Sequence, residues 1–262
     1  MDLGLKGKIA LVTAASKGLG KAAALALARE GAAVAISARS ELIDSTAEEI
    51  RRETGARVLP LRGDLTQAAS VLDIVDRTLK ELGPIDILIV NAGGPPTGGF
   101  LALKPEDWES AFQLTVMSAV RLCYAVVPHM IEHGSGSIVA TQSYTVKQPM
   151  PNLILSNALR MAVIGLMKTL ADELGPKGIR VNTINPAWTS TERVDHLMAD
   201  RARRAGTTPE AEAAKAVAEL PLGRMGTVEE YGRTVAWLAS PAASFIHGHA
   251  LIFDGGAVRS AL

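Results

Sequence analysis

The chain's first opportunity for chemistry is a turn, Thr13-Ala14-Ala15-Ser16-Lys17-Gly18-Leu19-Gly20, set between a short apolar run and an alanine-rich stretch. If the run is a strand and the stretch a helix, Gly18 and Gly20 let the backbone approach a pyrophosphate. The amides at the start of the helix would then stabilise its charge. Thr13, Ser16, Lys17, Gly18, Leu19 and Gly20 form this candidate cradle. Two glycines also serve any turn that needs positive φ, so the flanking pattern decides between the readings. A second opportunity is charge selection at the end of the second apolar run, Ser37-Ala38-Arg39. A carboxylate there accepts the adenosine ribose hydroxyls and repels an added 2′-phosphate, whereas an arginine attracts it. No acid stands in that place, and Arg39 with Lys17 favours NADP(H), NAD(H) being the alternative. The competing reading makes both cations mere solvated surface charges.

Hydroxyl and guanidinium groups supply the remaining candidates. Ser143 and Tyr144 follow a strand-like run, and Arg160 lies in a helical stretch, where its planar fork could clamp an anion. Tyr144 and Lys147 are separated by two residues in a loop, so one helical face cannot present both. The histidines 129, 133, 196, 247 and 249 show no metal-ligand spacing, and no metal site is expected. The single Cys123, within Leu122-Cys123-Tyr124-Ala125, reads as a buried small hydrophobe and fits a reducing compartment.

Such residues need a scaffold. Short β-rich runs alternate with amphipathic stretches along the 262 residues, the pattern of repeated βαβ units. Strands are predicted near 8–13, 32–38, 57–63, 85–90, 136–141, 180–185 and 250–253. Helices are predicted near 19–30, 41–54, 67–82, 105–132, 152–174 and 228–239. These seven parallel strands with helices on both faces make one doubly wound α/β domain of the Rossmann type over 1–262. A content of 48% hydrophobic and 4% aromatic residues suits an Ala, Val, Leu and Ile core. A polar segment at about 191–220, with Arg201-Ala202-Arg203-Arg204 and Glu210-Ala211-Glu212, interrupts the rhythm and reads as an inserted helical lid or as a solvated helical pair. Equal numbers of basic and acidic residues, 27 each, argue against nucleic acid as a partner. The apolar run 9–12 is too short for a signal peptide or membrane span, so a cytoplasmic protein with no membrane partner is expected.

Several motifs in order give this chain a resemblance to the short-chain dehydrogenases/reductases. The glycine turn resembles T-G-x-x-x-G-x-G, with Ala14 in place of the first glycine. Asp64-Leu65 resembles the pair that touches the adenine ring, and Asn91-Ala92-Gly93 the N-A-G turn that lines the coenzyme. Asn185-Pro186-Ala187-Trp188-Thr189 resembles the N-P-G turn beside the nicotinamide, and Asp254-Gly255-Gly256 the terminal D-G-G. The resemblance implies that Asp64, Leu65, Asn91, Ala92, Gly93, Pro186 and Thr189 contact the coenzyme, with Trp188 walling the substrate pocket.

The family's serine, tyrosine and lysine of the Tyr-x-x-x-Lys motif register on Ser143, Ser156 and Arg160, and its supporting asparagine on Thr115. Only the serine is retained. An aliphatic hydroxyl is a far weaker acid than a tyrosine of pKa ~10 and is shorter by a ring. Proton transfer at Ser156 would need a water or another side chain, and Tyr144 is a candidate to swing into the vacated volume. Arg160 would hold coenzyme ribose hydroxyls or an anion. The resemblance thus implies an NADP(H)-dependent oxidoreductase acting on a carbonyl or secondary alcohol of a small molecule. Similarity to 3-oxoacyl-carrier-protein reductases, including Pro221-Leu222-Gly223-Arg224, indicates ancestry more than substrate. A non-redox enzyme and a catalytically silent dinucleotide-binding protein are the alternatives. Pairing through the two long helices into a homodimer or homotetramer is expected, in keeping with the apolar stripe Leu159, Val163, Leu166, Met167 and Leu170.

Overall fold

In the computed structural model, which describes residues 2–260, parallel strands form one sheet in the order β3-β2-β1-β4-β5-β6-β7. The strands are β1 (Ile9–Val12), β2 (Ala33–Ala38), β3 (Val58–Arg62), β4 (Ile87–Val90), β5 (Gly136–Thr141), β6 (Ile179–Pro186) and β7 (Ala250–Phe253). Strand alternation divides their side chains between two layers. Ala10 and Val12 of β1 face α1 (Gly18–Arg29), α2 (Leu42–Thr54) and α9 (Val228–Ala239). Leu11 faces α3 (Ala68–Glu81), α5 (Ser118–Glu132) and α6 (Ile154–Leu174). A strand buried on both sides has no polar face, which is why these runs read as continuous apolar segments.

All seven predicted strands form, and each predicted helix has a counterpart. The stretch 105–132 differs in being segmented. Pro105 opens α4 (Pro105–Phe112), a π-helical turn occupies Gln113–Met117, and α5 then continues. Thr115 lies in that π turn, buried, with its hydroxyl unpartnered. Segments 105–132 and 154–177 are long and apolar enough by composition to cross a membrane. Here the buried residues of α5 and α6, such as Leu122, Val126, Val163 and Met167, pack into the core below the sheet.

The polar segment after β6 forms α7 (Glu192–Ala205) and α8 (Pro209–Ala218). Thr191 and Thr208 cap them by accepting the amides of Val194 and Ala211. One stripe of α7, Val194, Met198 and Ala202, is buried. Val194 and Met198 join Ala216, Leu220, Tyr144, Met150 and Trp188 in a separate apolar cluster. The helical pair is therefore seated on the protein above the ends of β5 and β6.

Candidate active site

The strand order reverses beside β1, between the branch that runs to β3 and the branch that runs through β4. A cleft of about 820 Å3 opens there, at the carboxyl ends of the strands. Its walls come from the turns after β1 through β6 and from the start of α7.

The turn after β1 is tied to the turn after β4. Thr13 Oγ1 donates to the Asn91 carbonyl at 2.7 Å and accepts the Asn91 amide at 3.0 Å. Asn91 Nδ2 donates to the Ala14 carbonyl at 3.2 Å. Thr13 is fully buried and does not line the cleft, so it braces the floor, where the sequence had suggested a coenzyme contact. Ala14 is held at φ +48°. This is left-handed backbone that costs an L-residue about 1–2 kcal/mol, so the missing glycine is a strained substitution. Gly20 cannot be replaced cheaply either, because a Cβ there would fall on the Ala14 carbonyl and within 2.8 Å of Asn91 Nδ2. Ser16, Lys17, Gly18, Leu19 and Gly20 all border the cleft where α1 begins. Lys17 is ion-paired with Glu192 of α7, whose carboxyl it holds below the usual range.

At the far end Arg39, Asp64 and Leu65 line the cleft. Burial pushes the Asp64 carboxyl up, but two hydrogen bonds from Thr66 and the charge of Arg39 outweigh it and hold the group below the ordinary carboxylate range. Arg39 is exposed and makes no hydrogen bond within the chain among the described residues. Ala92 and Gly93 line the middle, and Pro186 and Thr189 the opposite wall.

The hydroxyl end gathers Ser143, Tyr144, Ser156 and Arg160. Ser143 caps a short turn by accepting the Thr145 amide at 3.2 Å. Ser156 Oγ accepts from Arg160 Nε at 3.2 Å and lies 3.5 Å from Thr145 Oγ1. The Arg160 Nη1 donates, at longer range, to the Thr141 carbonyl (3.4 Å) and Gln142 Oε1 (3.5 Å). Burial, aided by the nearby charge of Arg193 and opposed by Tyr231, lowers Arg160 to about 10, so it stays charged at neutral pH.

Tyr144 does not occupy the space beside Ser156. Its hydroxyl faces Met150 Sδ at 3.9 Å, and its ring lies 6.4 Å from that of Trp188. Packing beneath α7 and α8 holds it there, and burial pushes its hydroxyl up to about 12. Burial likewise raises the Cys123 thiol to about 12, as befits an inert core cysteine.

Two arginines escaped the sequence reading. Arg193 Nη2 donates to the Pro95 carbonyl at 2.8 Å, and its guanidinium covers Gly94 so closely that a Cβ there would lie 2.8 Å from Nε. Arg201 stacks on Trp188 at 4.7 Å. The available signal was the four-residue spacing of Val194, Met198 and Ala202, which marks the inward face of α7 and so places Arg193 and Arg201 on its borders.

A doubly wound sheet with a glycine turn opening its first helix and a hydroxyl-rich pocket at the switch point defines a nucleotide-dependent α/β enzyme class. Residues 13–258 match the family model described as enoyl-(acyl carrier protein) reductase. The chain is 32% identical over 255 residues to the 3-oxoacyl-(acyl-carrier-protein) reductase FabG of Thermotoga maritima, covering 97% of this chain and 99% of that one. D-threitol dehydrogenase of Mycolicibacterium smegmatis is 34% identical over 259 residues, covering 97% and 94%. The crystal structure of L-sorbose reductase from Gluconobacter frateurii, complexed with NADPH and L-sorbose, superposes with a TM-score of 0.94 at 30% identity, covering 99% of this chain and 100% of that one. The chain belongs to the short-chain dehydrogenase/reductase family, whose members are NAD(P)-dependent oxidoreductases.

Proposed function

We propose that this chain interconverts a carbonyl and a secondary alcohol with NADP(H), using Ser156 and Arg160 where the family's tyrosine and lysine register. The observation that carries the reading is that one cleft joins the glycine-turn amides and Arg39 to the Ser143, Ser156 and Arg160 groups. The L-sorbose reductase complexed with NADPH supports the choice of coenzyme.

The residues present fit the coenzyme. Gly18 at φ +57° keeps the turn clear of a side chain, and Gly20 lets the start of α1 close against the Ala14 carbonyl, so the turn amides can line the cradle that a pyrophosphate needs. Arg39 and Lys17 would hold the 2′-phosphate, Asp64 and Leu65 the adenine, and Asn91, Ala92, Gly93, Pro186 and Thr189 the nicotinamide half. When bound, NADPH supplies the hydride. The Ser156 oxygen already accepts from Arg160 Nε, which leaves its hydrogen free for a substrate oxygen or for Thr145. Ser143 donates to the same oxygen, and the fixed charge of Arg160 stabilises the alkoxide that develops. Arg160 keeps its proton at pH 7, and a serine hydroxyl is a poor acid. The proton therefore comes from water relayed through Ser156. The pair α7 and α8 acts as a lid over this end, and the exposed apolar residues of α5 and α6 support a homo-oligomer.

The test is NADPH consumption, followed by nicotinamide absorbance, across a panel of ketones and aldehydes. Turnover that falls about 100-fold in Ser156→Ala supports the reading. NADPH binding without oxidation for any substrate would identify a silent binder. Chemical turnover without absorbance change would identify a non-redox enzyme.

A further inference from the structure

We propose that the substrate of this cleft is an oxo-carboxylate with an apolar body, its carboxylate held by Arg160 and Arg193. The inference rests on the oxidoreductase reading of the same cleft and adds the class of substrate.

The argument begins with unmatched charge. Arg160 projects from α6 and Arg193 from the first turn of α7, and both line the cleft. All contacts of Arg160 are with neutral oxygens, those of Ser156, Thr141 and Gln142. The hydrogen bond of Arg193 goes to the Pro95 carbonyl. Among the described residues neither guanidinium forms an ion pair. The charge of Arg193 adds to the burial effect that lowers Arg160. Placing like charges together in a partly desolvated pocket is unfavourable unless an anion enters between them.

Neighbouring acids are committed elsewhere. Glu192 pairs with Lys17. Asp200 pairs with Arg203 and accepts Thr97 Oγ1 at 3.1 Å, although its charge still reaches Arg193. Asp64 sits at the adenine end beside Arg39.

Arg39 provides for the 2′-phosphate, and the glycine turn, which meets the start of α7 through the Lys17–Glu192 pair, provides for the pyrophosphate; Arg160, set among Ser156, Thr141 and Gln142, is answered by neither. A planar guanidinium fork matches a carboxylate in two parallel bonds, which gives orientation as well as attraction. The rest of the wall is apolar, with Met150, Leu153, Trp188 and Leu197 lining the same cleft. An apolar body against that wall, with the carboxylate toward the arginines, would set the carbonyl near Ser143 and Ser156.

The experiment is calorimetric titration of the full chain with benzoylformate and benzoylpropionate, each beside its amide, with and without saturating NADP+. The acid and amide share shape and differ in charge. At least one acid is expected to bind about 10- to 100-fold more tightly than its amide, as charge-assisted hydrogen bonds allow. Arg193→Gln, with its fold checked by melting, should shrink that ratio to about 3-fold or less, and Arg193→Lys should restore part of it. Equal affinity for acid and amide in both pairs would overturn the proposal, as would a preference that survives in both Arg193→Gln and Arg160→Gln. Inorganic phosphate that displaces the acid at equal concentration would overturn the assignment to a carboxylate. Acid preference without any NADP+ binding would sink the redox reading and leave this one standing. NADPH oxidation by neutral ketones with no acid preference would do the reverse.

Discussion

Arg160 donates through Nε to the hydroxyl of Ser156 one helical turn earlier, at 3.2 Å, and so occupies the place from which a lysine would assist a tyrosine. The pair can hold, orient and stabilise negative charge, but a serine hydroxyl remains a far weaker acid than a tyrosine. Replacing both as Ser156→Tyr with Arg160→Lys should raise carbonyl reduction at least about tenfold, since general acid catalysis contributes about 100- to 10,000-fold. Ser156 borders the open cleft, which leaves room for the ring. Rates for wild type and double variant on one substrate check this, and unchanged rates would show that tyrosine chemistry has no part here.

Burial lowers Arg160 from 12.5 to about 10. Its folded pKa lies below its unfolded one, so the unfolded chain binds the proton more tightly. The destabilisation is complete below pH 10 and is relieved between about pH 10 and 12.5. Arg160→Met, which keeps the apolar stem, should therefore melt about 2–4 °C higher at pH 7, the equivalent of about 1 kcal/mol for a chain of this size. The same variant should lose activity, the expected trade at a functional charge. Calorimetric melting at pH 7 with a parallel rate measurement reads both.

Ala14 offers a second stability test. Its φ of +48° penalises a Cβ, so Ala14→Gly should stabilise the chain by about 1 kcal/mol. Gly20→Ala goes the other way. The added methyl meets the Ala14 carbonyl and Asn91 Nδ2, and the turn must shift, at about 1–3 kcal/mol and with loss of coenzyme affinity. Denaturant unfolding and coenzyme fluorescence titration separate the two effects.

The strands were legible because β1, β2 and β4 are buried on both faces and bounded by turn residues, a pattern that needs no tertiary knowledge. The glycine turn, Arg39 and the Ser156–Arg160 spacing could be read for the same reason, being local. What escaped depends on contacts across the chain. Thr13 looked like part of a phosphate cradle, but its partner Asn91 is 78 positions away. Arg193 carries no local motif and gains its place only where α7 folds back onto Pro95, 98 positions earlier. The sign of φ at Ala14 was undecidable from sequence, and its carbonyl is held by Asn91, 77 positions away.

Tyr144 tests whether proximity in sequence to Ser143 has chemical meaning. Its hydroxyl faces Met150 Sδ, and burial holds it up near 12. Tyr144→Phe should leave kcat within about threefold and the pH profile unmoved, since no strong hydrogen bond is lost. Tyr144→Ala should instead destabilise by about 3–5 kcal/mol, because the ring packs with Trp188 under α7. A kcat loss above tenfold in Tyr144→Phe would return this residue to the proton path.

Coenzyme choice turns on two cations with different circumstances. Arg39 is exposed beside Asp64, whereas Lys17 is engaged by Glu192 of α7. A 2′-phosphate would add two charge-assisted bonds, one of them won in competition with the Glu192 carboxylate. Arg39→Asp should weaken NADPH binding about 10- to 100-fold and bring NADH to parity or better, because a carboxylate repels the phosphate and accepts ribose hydroxyls. Glu192→Gln should strengthen NADPH binding by about threefold, through a Lys17 no longer held by an exposed pair worth about 0.2–1 kcal/mol. The gain should fade as salt rises, since the screening length falls to about 3 Å at 1 M. Titrations of both coenzymes at two salt concentrations decide the matter. An Arg39→Asp variant with unchanged preference would mean that this arginine is only a surface charge, and a Glu192→Gln variant with unchanged affinity would mean that Lys17 never reaches the phosphate.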